Sequence, residues 1–473
     1  MGQAWNIPLQ SQRSKEMALK HISEPVRKIE VWGTYDVVVL GGGPAGIAAA
    51  AAAARGGARA LLVERYGFLG GMGTAAGVTN FCGLHANVYG RFVRVVEGVS
   101  RELTDRMDRL GGLNEPHVVF GKLMAQAYDT AAYKCAADDL LVSHGAEVLY
   151  HALGASCIPG RDGRIDALVL ETKSGRVAVQ ASVFIDCSGD GDLAAWAGAA
   201  TEKGDAAGNM LYPTSMFRIG GVDPDRAGAA WETIPRLMEE AEADGSHRFP
   251  RKGAIVRPQK NPTEWRVNVT QIADPETGHA IDCTDAAALS AGEMEGRRQM
   301  RDFLAFLKAR VPGFENAYIL DIPPQIGVRE TRRVIGDHVL TEDAVLGCAD
   351  FDDTIGVNGW PVEKHAPGKV VWRFPDYPNV RGFNHLPLAM LRTKGFDNLL
   401  AAGRCGSMTH GAAAAARVSG GCFVMGEAAG QLAALALAHG GRVREVQAAA
   451  LQARLAEEGA FLGRAEDGVP EVA

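Results

Sequence analysis

The apolar positions of this chain fall into short runs that point to alternating strands and helices. Tyr35 to Leu40 is apolar without alternation, and Val37, Val38 and Val39 are all β-branched. Such a run predicts a strand buried on both faces, as in a parallel sheet. It stops at Gly41-Gly42-Gly43. Ile47 to Arg55 is almost pure alanine, a strong helix by propensity, and Gly56-Gly57 ends it. Ala58 to Glu64 predicts the second strand of a strand–helix–strand unit. Phe92, Val95, Val96 and Val99 repeat at helical spacing and predict a helix over 90–110, with another over 121–144. Ala146 to Tyr150 predicts a strand. Ile165–Leu170 and Val177–Val179, joined by Lys173-Ser174-Gly175, predict a hairpin, and Val183 to Cys187 a further strand. Later come a helix over 286–310, a strand from Asn398 to Ala402 and a long small-residue helix from Arg417 to His439.

This order predicts an α/β fold: a Rossmann-type domain with a parallel central sheet, interrupted by an α+β substrate domain. The division expected is a polar lead-in over 1–34, the first part of the Rossmann domain over 35–204, and its return over 391–445. Between them, 205–390 holds most of the prolines and no Rossmann signature, and 446–473 is a tail.

Composition narrows the function classes. A net charge of −7 over 473 residues lacks the broad basic surface that a sequence-independent grip on nucleic acid needs. The eight cysteines show no metal-finger spacing and no redox-disulfide pair, so no metal site is expected and reduced thiols of a cytoplasmic protein are. Arg13, Lys15, Glu16, Lys20 and Glu24 interrupt the first thirty residues, which therefore lack a signal-peptide core. Met1-Gly2 begins like an acylation signal, but Asn6 stands where Ser or Thr is needed. No run of about 18 apolar residues appears, so no membrane span is expected. Glycine is abundant, at 58 residues.

The sharpest local signal is Gly41-x-Gly43-x-x-Gly46 between strand and helix, with Glu64 ending the next strand. Gly41 permits the tight turn, Gly43 lets backbone approach a pyrophosphate, and Gly46 lets helix and strand pack closely. Pro44 and Ala45 complete the loop, and the helix N-terminus supplies free N–H groups to phosphate. Glu64 suits the ribose hydroxyls, and Arg65 and Val148 are assigned to the same cofactor site. Leu69-Gly70-Gly71-Met72-Gly73-Thr74 lies just past the acid, where a flavin protein needs backbone around a long cofactor. That favours FAD over NAD. A second glycine turn, Gly189-Asp190-Gly191-Asp192, also follows a strand. Its carboxylates would repel a pyrophosphate of its own, so it reads as another wall of the FAD site.

Three blocks together resemble the bacterial FAD-dependent oxidoreductase family called FAD-oxidored, a relative of the glutathione-reductase-type flavoproteins. They are Asp36 to Gly46 continuing through Leu69 to Thr74; Ile326 to Arg333 continuing through Val339 to Glu342; and Asn398 to Cys405 with Thr409, His410, Arg417 and Gly426 to Gly430. The resemblance implies that the C-terminal block returns to the flavin. Gly403 and Arg404 would lie near ribityl and pyrophosphate, and Arg417-Val418 would face the isoalloxazine. A cation or helix N-terminus there favours an anionic reduced flavin. Ser188-Gly189 stands where relatives often have Thr-Gly.

Flavin chemistry on a small organic molecule needs a hydride route and usually one proton donor or acceptor. His410 is the leading candidate for that partner, with a backbone-bonded structural role as its alternative. Arg329 and Arg417 are candidates to clamp an anionic substrate; for Arg329, bracing within the Glu330, Arg332 and Arg333 charge cluster is the stronger alternative. The basic run from Arg248 to Arg266 reads first as a solvated face and second as an attractor of anionic substrate. Cys82 and His85 read as packed or pocket-lining residues, with covalent flavin attachment as the alternative. The expected activity is a two-electron oxidation or reduction with an external electron partner: nicotinamide, oxygen, a quinone or a redox protein. A flavin-dependent isomerase or hydratase, and a non-catalytic FAD-binding protein, are the rival readings. A homo-oligomer is compatible with the sequence.

Overall fold

A computed structural model describes residues 22–464. The expectations for residues 1–21 and 465–473 lie outside the described residues.

Glu147–Leu149, Ala60–Val63, Glu30–Leu40 and Gly175–Asp186 lie side by side in that order, all parallel. Leu399–Ala401 joins in parallel at the end of Gly175–Asp186, pairing Phe184 with Leu399 and Asp186 with Ala401. Ile165–Thr172 and Leu153–Pro159 complete the sheet as antiparallel strands. The hairpin and the apolar strand expected after it are one feature. The single strand Gly175–Asp186 runs parallel to Glu30–Leu40 along nearly its whole length, while its other edge closes the hairpin with the first half and meets Leu399–Ala401 with the second. The first strand begins at Glu30, inside the stretch read as lead-in.

The alanine helix Pro44–Arg55 lies against Ser419–Ala436, and both are buried along most of their length. A Cβ at Gly426 or Gly430 would collide with the carbonyls of Ala45 and Ala49. The small residues are thus what lets two core helices approach backbone to backbone. The span Ser419–His439 is long and apolar enough to cross a membrane by length and composition, unlike the sequence expectation. However, 78% of its most apolar window is buried inside the protein, as suits a core helix.

Two helix predictions are corrected. Within 90–110, Arg91–Arg94 is a strand paired with His85–Val88, and the helix is only Val99–Arg109, entered through Gly98 at φ +59°. Val93 is the buried position of that strand, and Val95 and Val96 are buried in the loop that follows it, which the helical spacing of Phe92, Val95 and Val99 concealed. Within 121–144, Leu123–Ala127 is a strand. The helix Thr130–His144 begins where the Asp129 carboxylate accepts the N–H groups of Ala131 and Ala132.

The interval 205–390 is divided among several cores, two of them large. Ile255–Pro258, Trp265–Asn268, Phe217–Gly220 and Tyr318–Asp321 form an antiparallel sheet in that order. With the helices Ala230–Ala243 and Ala286–Arg310 they enclose a separate core around Phe217, Trp265, Phe303, Phe306 and Phe314. Ile355, Val357, Val362, Leu386 and Leu388 instead pack into the large core of the Rossmann helices.

Candidate functional site

The glycine turn follows from sterics. Gly41 sits at φ +101°, and a Cβ there would lie 2.5 Å from the Cys187 carbonyl oxygen. A Cβ on Gly46 would collide with the Gly41 carbonyl. Gly43 is different: a Cβ would meet only the Gly71 Cα, at 3.7 Å, so its exposed side is open. Gly43 caps the helix Pro44–Arg55 without any side-chain acceptor, leaving first-turn N–H groups free for an anion. Glu64 braces the turn, accepting the Gly42 N–H at 2.6 Å and the Tyr66 N–H at 2.9 Å. Burial raises its proton affinity, and those two donors work against that rise.

The second glycine turn is held from beneath. Buried Asp186 accepts the Ser188 N–H at 3.0 Å, the Ser188 hydroxyl at 2.6 Å and the Ala194 N–H at 2.9 Å. Arg404 donates to Asp190 at 2.9 Å and to Thr331 at 3.0 Å, so its guanidinium lies against Gly189. Burial disfavours a charged Asp190, but Arg404 and Thr331 more than offset it and hold the carboxyl below its usual range.

Both turns open into one cavity of about 490 Å³. Its other wall is polar and comes from distant chain. The strand Val362–Ala366 pairs with Lys369–Arg373 as a hairpin. Strand alternation turns Glu363 and His365 into the cavity, while Lys364 donates to Glu342 at 2.7 Å. The hairpin is anchored by Gln271, whose amide donates to the Ala366 carbonyl and accepts the Gly368 N–H, both at 2.8 Å. Glu363 lies 3.2 Å from His365 Nε2 and accepts the Trp360 indole N–H at 3.1 Å. Arg329 is buried and donates to the Tyr212 carbonyl at 2.5 Å. Arg417 lines the cavity, and its Nε and Nη2 are buried with no partner.

Burial opposes charge on Glu363, but His365, Arg417 and Arg329 outweigh it and hold the carboxyl at about 2. Burial, then Arg329, lowers His365 to about 3, against the pull of Glu363. At neutral pH the pair is therefore a carboxylate beside a neutral imidazole, not an ion pair. A carboxylate only accepts, so Nε2 carries the hydrogen and Nδ1 the lone pair. His365 Nδ1 is buried and unpartnered.

Of the residues singled out from sequence, Gly41, Gly43, Pro44, Ala45, Glu64, Arg65, Gly71, Met72, Ser188, Gly189, Arg329, Gly403, Arg404, Arg417 and Val418 line this cavity. Gly46, Gly70, Thr74, Val148 and Asp190 stand behind the lining. The Thr74 hydroxyl donates to the Leu69 carbonyl at 2.6 Å, and Val148 pairs with Leu62. His410 is not brought to the cavity. Its Nδ1 lies 2.9 Å from Glu330, which also pairs with Arg333 and accepts the Leu211 N–H. The Glu330 carboxylate thus holds this histidine, by a side-chain contact rather than the backbone bond expected as its alternative.

The basic run is only partly a solvated face. Arg251 is buried and donates to the Asn268 carbonyl at 2.6 Å, and Arg266 is buried against the Val78 carbonyl. Arg257 lies over the Trp231 ring at 5.1 Å. Cys82 lines the cavity with its thiol pushed up to about 12 by burial, while His85 lies outside the lining and is lowered to about 4, mainly by burial. Neither is prepared as a nucleophile. Glu363 and His365 were missed. The available signal was an acid and a histidine two apart in Val362-Glu363-Lys364-His365-Ala366, closed by Pro367-Gly368.

The comparisons bear on what this cavity holds. No curated protein sequence matches the chain. Among solved structures, a geranylgeranyl bacteriochlorophyll reductase-like protein from Thermoplasma acidophilum is 15% identical, with a TM-score of 0.47 over 91% of this chain and 84% of that one. The anhydrotetracycline hydroxylase OxyS from Streptomyces rimosus is 13% identical, with a TM-score of 0.45 over 90% of this chain and 66% of that one. The flavin-dependent brominase Bmp2 is 11% identical, with a TM-score of 0.44 over 90% and 83%. These distant likenesses do not carry the assignment. The sequence model of the FAD dependent oxidoreductase family does, matching residues 36–455. The cavity fits that cofactor on its own terms, with an open backbone cradle at Gly43 and a helix start that no side chain caps. This chain belongs to the FAD-dependent oxidoreductase family, and FAD is its cofactor.

Proposed function

We propose that the enzyme oxidises or reduces a small organic molecule by two electrons within this cavity. The observation that carries the reading is the meeting of two walls: a glycine cradle, and a buried cluster of Arg329, Arg417, Glu363 and His365. Bound FAD supplies hydride acceptance or donation at N5. The chain's residues do the rest. The Gly41–Gly46 turn and the following helix N-terminus hold the diphosphate, with Glu64 and Arg65 on the adenosine side. Ser188, Gly189, Gly403 and Arg404 form the second rim. Arg417, buried in the cavity lining, would supply positive charge to an anionic group bound there. Trp360 and Trp372 line the substrate side and exclude water. Glu363 holds the His365 ring so that Nδ1 accepts a proton.

The second glycine turn lines this same cavity rather than a separate site. The electron partner is therefore one that binds transiently: nicotinamide, oxygen, a quinone or a redox protein. All eight cysteines are unpaired, which supports a reducing, cytoplasmic setting.

The test is an absorption spectrum of the purified protein before and after acid precipitation, followed by anaerobic mixing with small acids, alcohols and reduced nicotinamides. The expected result is a flavin spectrum, released by acid and bleached by at least one compound. A retained flavin that nothing bleaches would make the protein a non-catalytic FAD binder.

A further inference from the structure

We propose that Arg329, Arg417 and the Glu363–His365 pair form a carboxylate site in which an anion and a proton at His365 Nδ1 bind together. The inference rests on the oxidoreductase reading of this cavity and specifies its substrate class: a small organic acid with a hydroxyl or amino group beside the carboxylate.

Two observations point to an anion. Arg417 presents two buried nitrogens, Nε and Nη2, with no acceptor, and a buried donor left unpaired is costly until something accepts from it. The wall also carries an excess of positive charge. Arg329 and Arg417 both face Glu363, while Glu330, the other acid near Arg417, already pairs with Arg333. Trp360, Trp372 and Val119 line the same cavity and give an apolar body somewhere to lie.

The proton follows from the neighbours of His365. Glu363 faces it from its own strand, and Arg329 and Arg417 face it from other elements. Arg251 and the Cys82 thiol stand beside Glu363. The two guanidinium charges oppose protonation of the imidazole. An anion seated between them cancels part of that field, so Nδ1 holds a proton more readily with the ligand bound. By linkage, the proton must in turn tighten the anion. A substrate hydroxyl or amine beside the carboxylate would then meet a base whose strength appears only when the correct ligand is present.

The experiment uses FAD-loaded enzyme with ¹⁵N-labelled histidine, probed with benzoate and its neutral analogue benzamide over pH 5–8, where benzoate stays ionised. Tryptophan fluorescence reads binding, and the imidazole resonances, assigned by comparison with His365→Asn, read protonation. Benzoate is expected to bind roughly tenfold or more tightly than benzamide. It should bring protonation of His365, which lies at about 3 in the free enzyme, into that pH window, a rise of roughly two units or more, whereas benzamide leaves it unmoved. Arg417→Gln should remove most of the preference for benzoate. If that variant loses its flavin, the wild-type contrast and Arg417→Lys, which keeps the charge, decide instead. Equal affinity for the two probes, or an unmoved His365 under saturating benzoate, overturns the proposal. Benzoate carries no oxidisable C–H here, so this failure is distinct from failure of the bleaching screen. A flavin bleached by neutral alcohols, with benzoate excluded, would sink the carboxylate site and leave the oxidoreductase standing.

Discussion

Five consecutive residues, Gly41 to Ala45, make much of one wall of the cavity, whereas the opposite wall draws Arg329, Glu363, His365 and Arg417 from three separate stretches of chain. The first wall works through backbone: free N–H groups, an open Cα face and a helix end. The second works through side chains whose charges matter because they are buried together. The contrast teaches where each kind of site is vulnerable. A backbone cradle fails when a Cβ is added, while a buried charge cluster fails when one partner is removed.

The largest expected effect separates two glycines of the cradle. Gly41→Ala places a Cβ 2.5 Å from a carbonyl at φ +101°, and should yield protein that is destabilised and colourless. Gly43→Ala has room for its methyl in the empty turn. It should keep nearly wild-type thermal stability yet hold FAD on the order of tenfold or more weakly, because the methyl occupies the approach of the diphosphate. Equal loss of stability in both variants would erase the distinction between turn sterics and cofactor contact.

Next comes the contrast between the two histidines. His365→Asn should lower turnover by about 10²-fold or more with FAD retention unchanged. His410→Asn should cost about 1–3 kcal/mol of stability, through the unmatched Glu330, with a much smaller change in turnover. Turnover with the bleaching substrate and urea denaturation of both variants would decide it. The reverse pattern would return the proton-handling role to His410.

A third prediction concerns the cofactor half alone. Arg55 is shared by Glu427 at 2.8 Å, Glu102 at 2.8 Å and Glu458 at 2.7 Å. Burial raises Glu427 from 4.5 to about 7, against the pull of Arg55 and the Val99 N–H. The folded protein therefore keeps a proton that the unfolded chain has released. This contribution is complete below about 4.5 and is lost as pH rises through about 7, amounting to about 3 kcal/mol at most. Subtracting the stability profile of Glu427→Gln from that of the wild type should expose a fall over this window. A flat difference would mean that Arg55 keeps the carboxylate ionised.

The smallest effect is expected on the surface of the helix Ala230–Ala243. Arg236 and Glu240 form an ion pair with side chains 63% and 51% exposed. Glu240→Ala should change stability by less than about 1 kcal/mol and leave flavin binding untouched. A larger calorimetric change would show that the helix Ala230–Ala243 depends on that pair.

Much of the cofactor wall was legible because its constraints are local. The β-branched run Val37 to Val39, the glycine spacing and Glu64 each restrict backbone geometry within a few residues. The hairpin at Lys173-Ser174 was legible for the same reason. The helix expected over 90–110 was not, since strand alternation and helical periodicity both fit so short an apolar set, and only pairing with His85–Val88 chose between them. Nor was the fate of Arg251 and Arg266 legible, because a cationic side chain enters a core only when carbonyls such as those of Asn268 and Val78 wait there.

By itself the sequence determined the glycine turn, the parallel sheet and the family, since these depend on φ limits, residue size and order along the chain. Only the tertiary structure decided that His365 rather than His410 enters the cavity, and that Arg417 lies there without a partner. The reason is physical: a side chain's protonation and pairing depend on what surrounds it in space, and here those neighbours lie far apart in the chain.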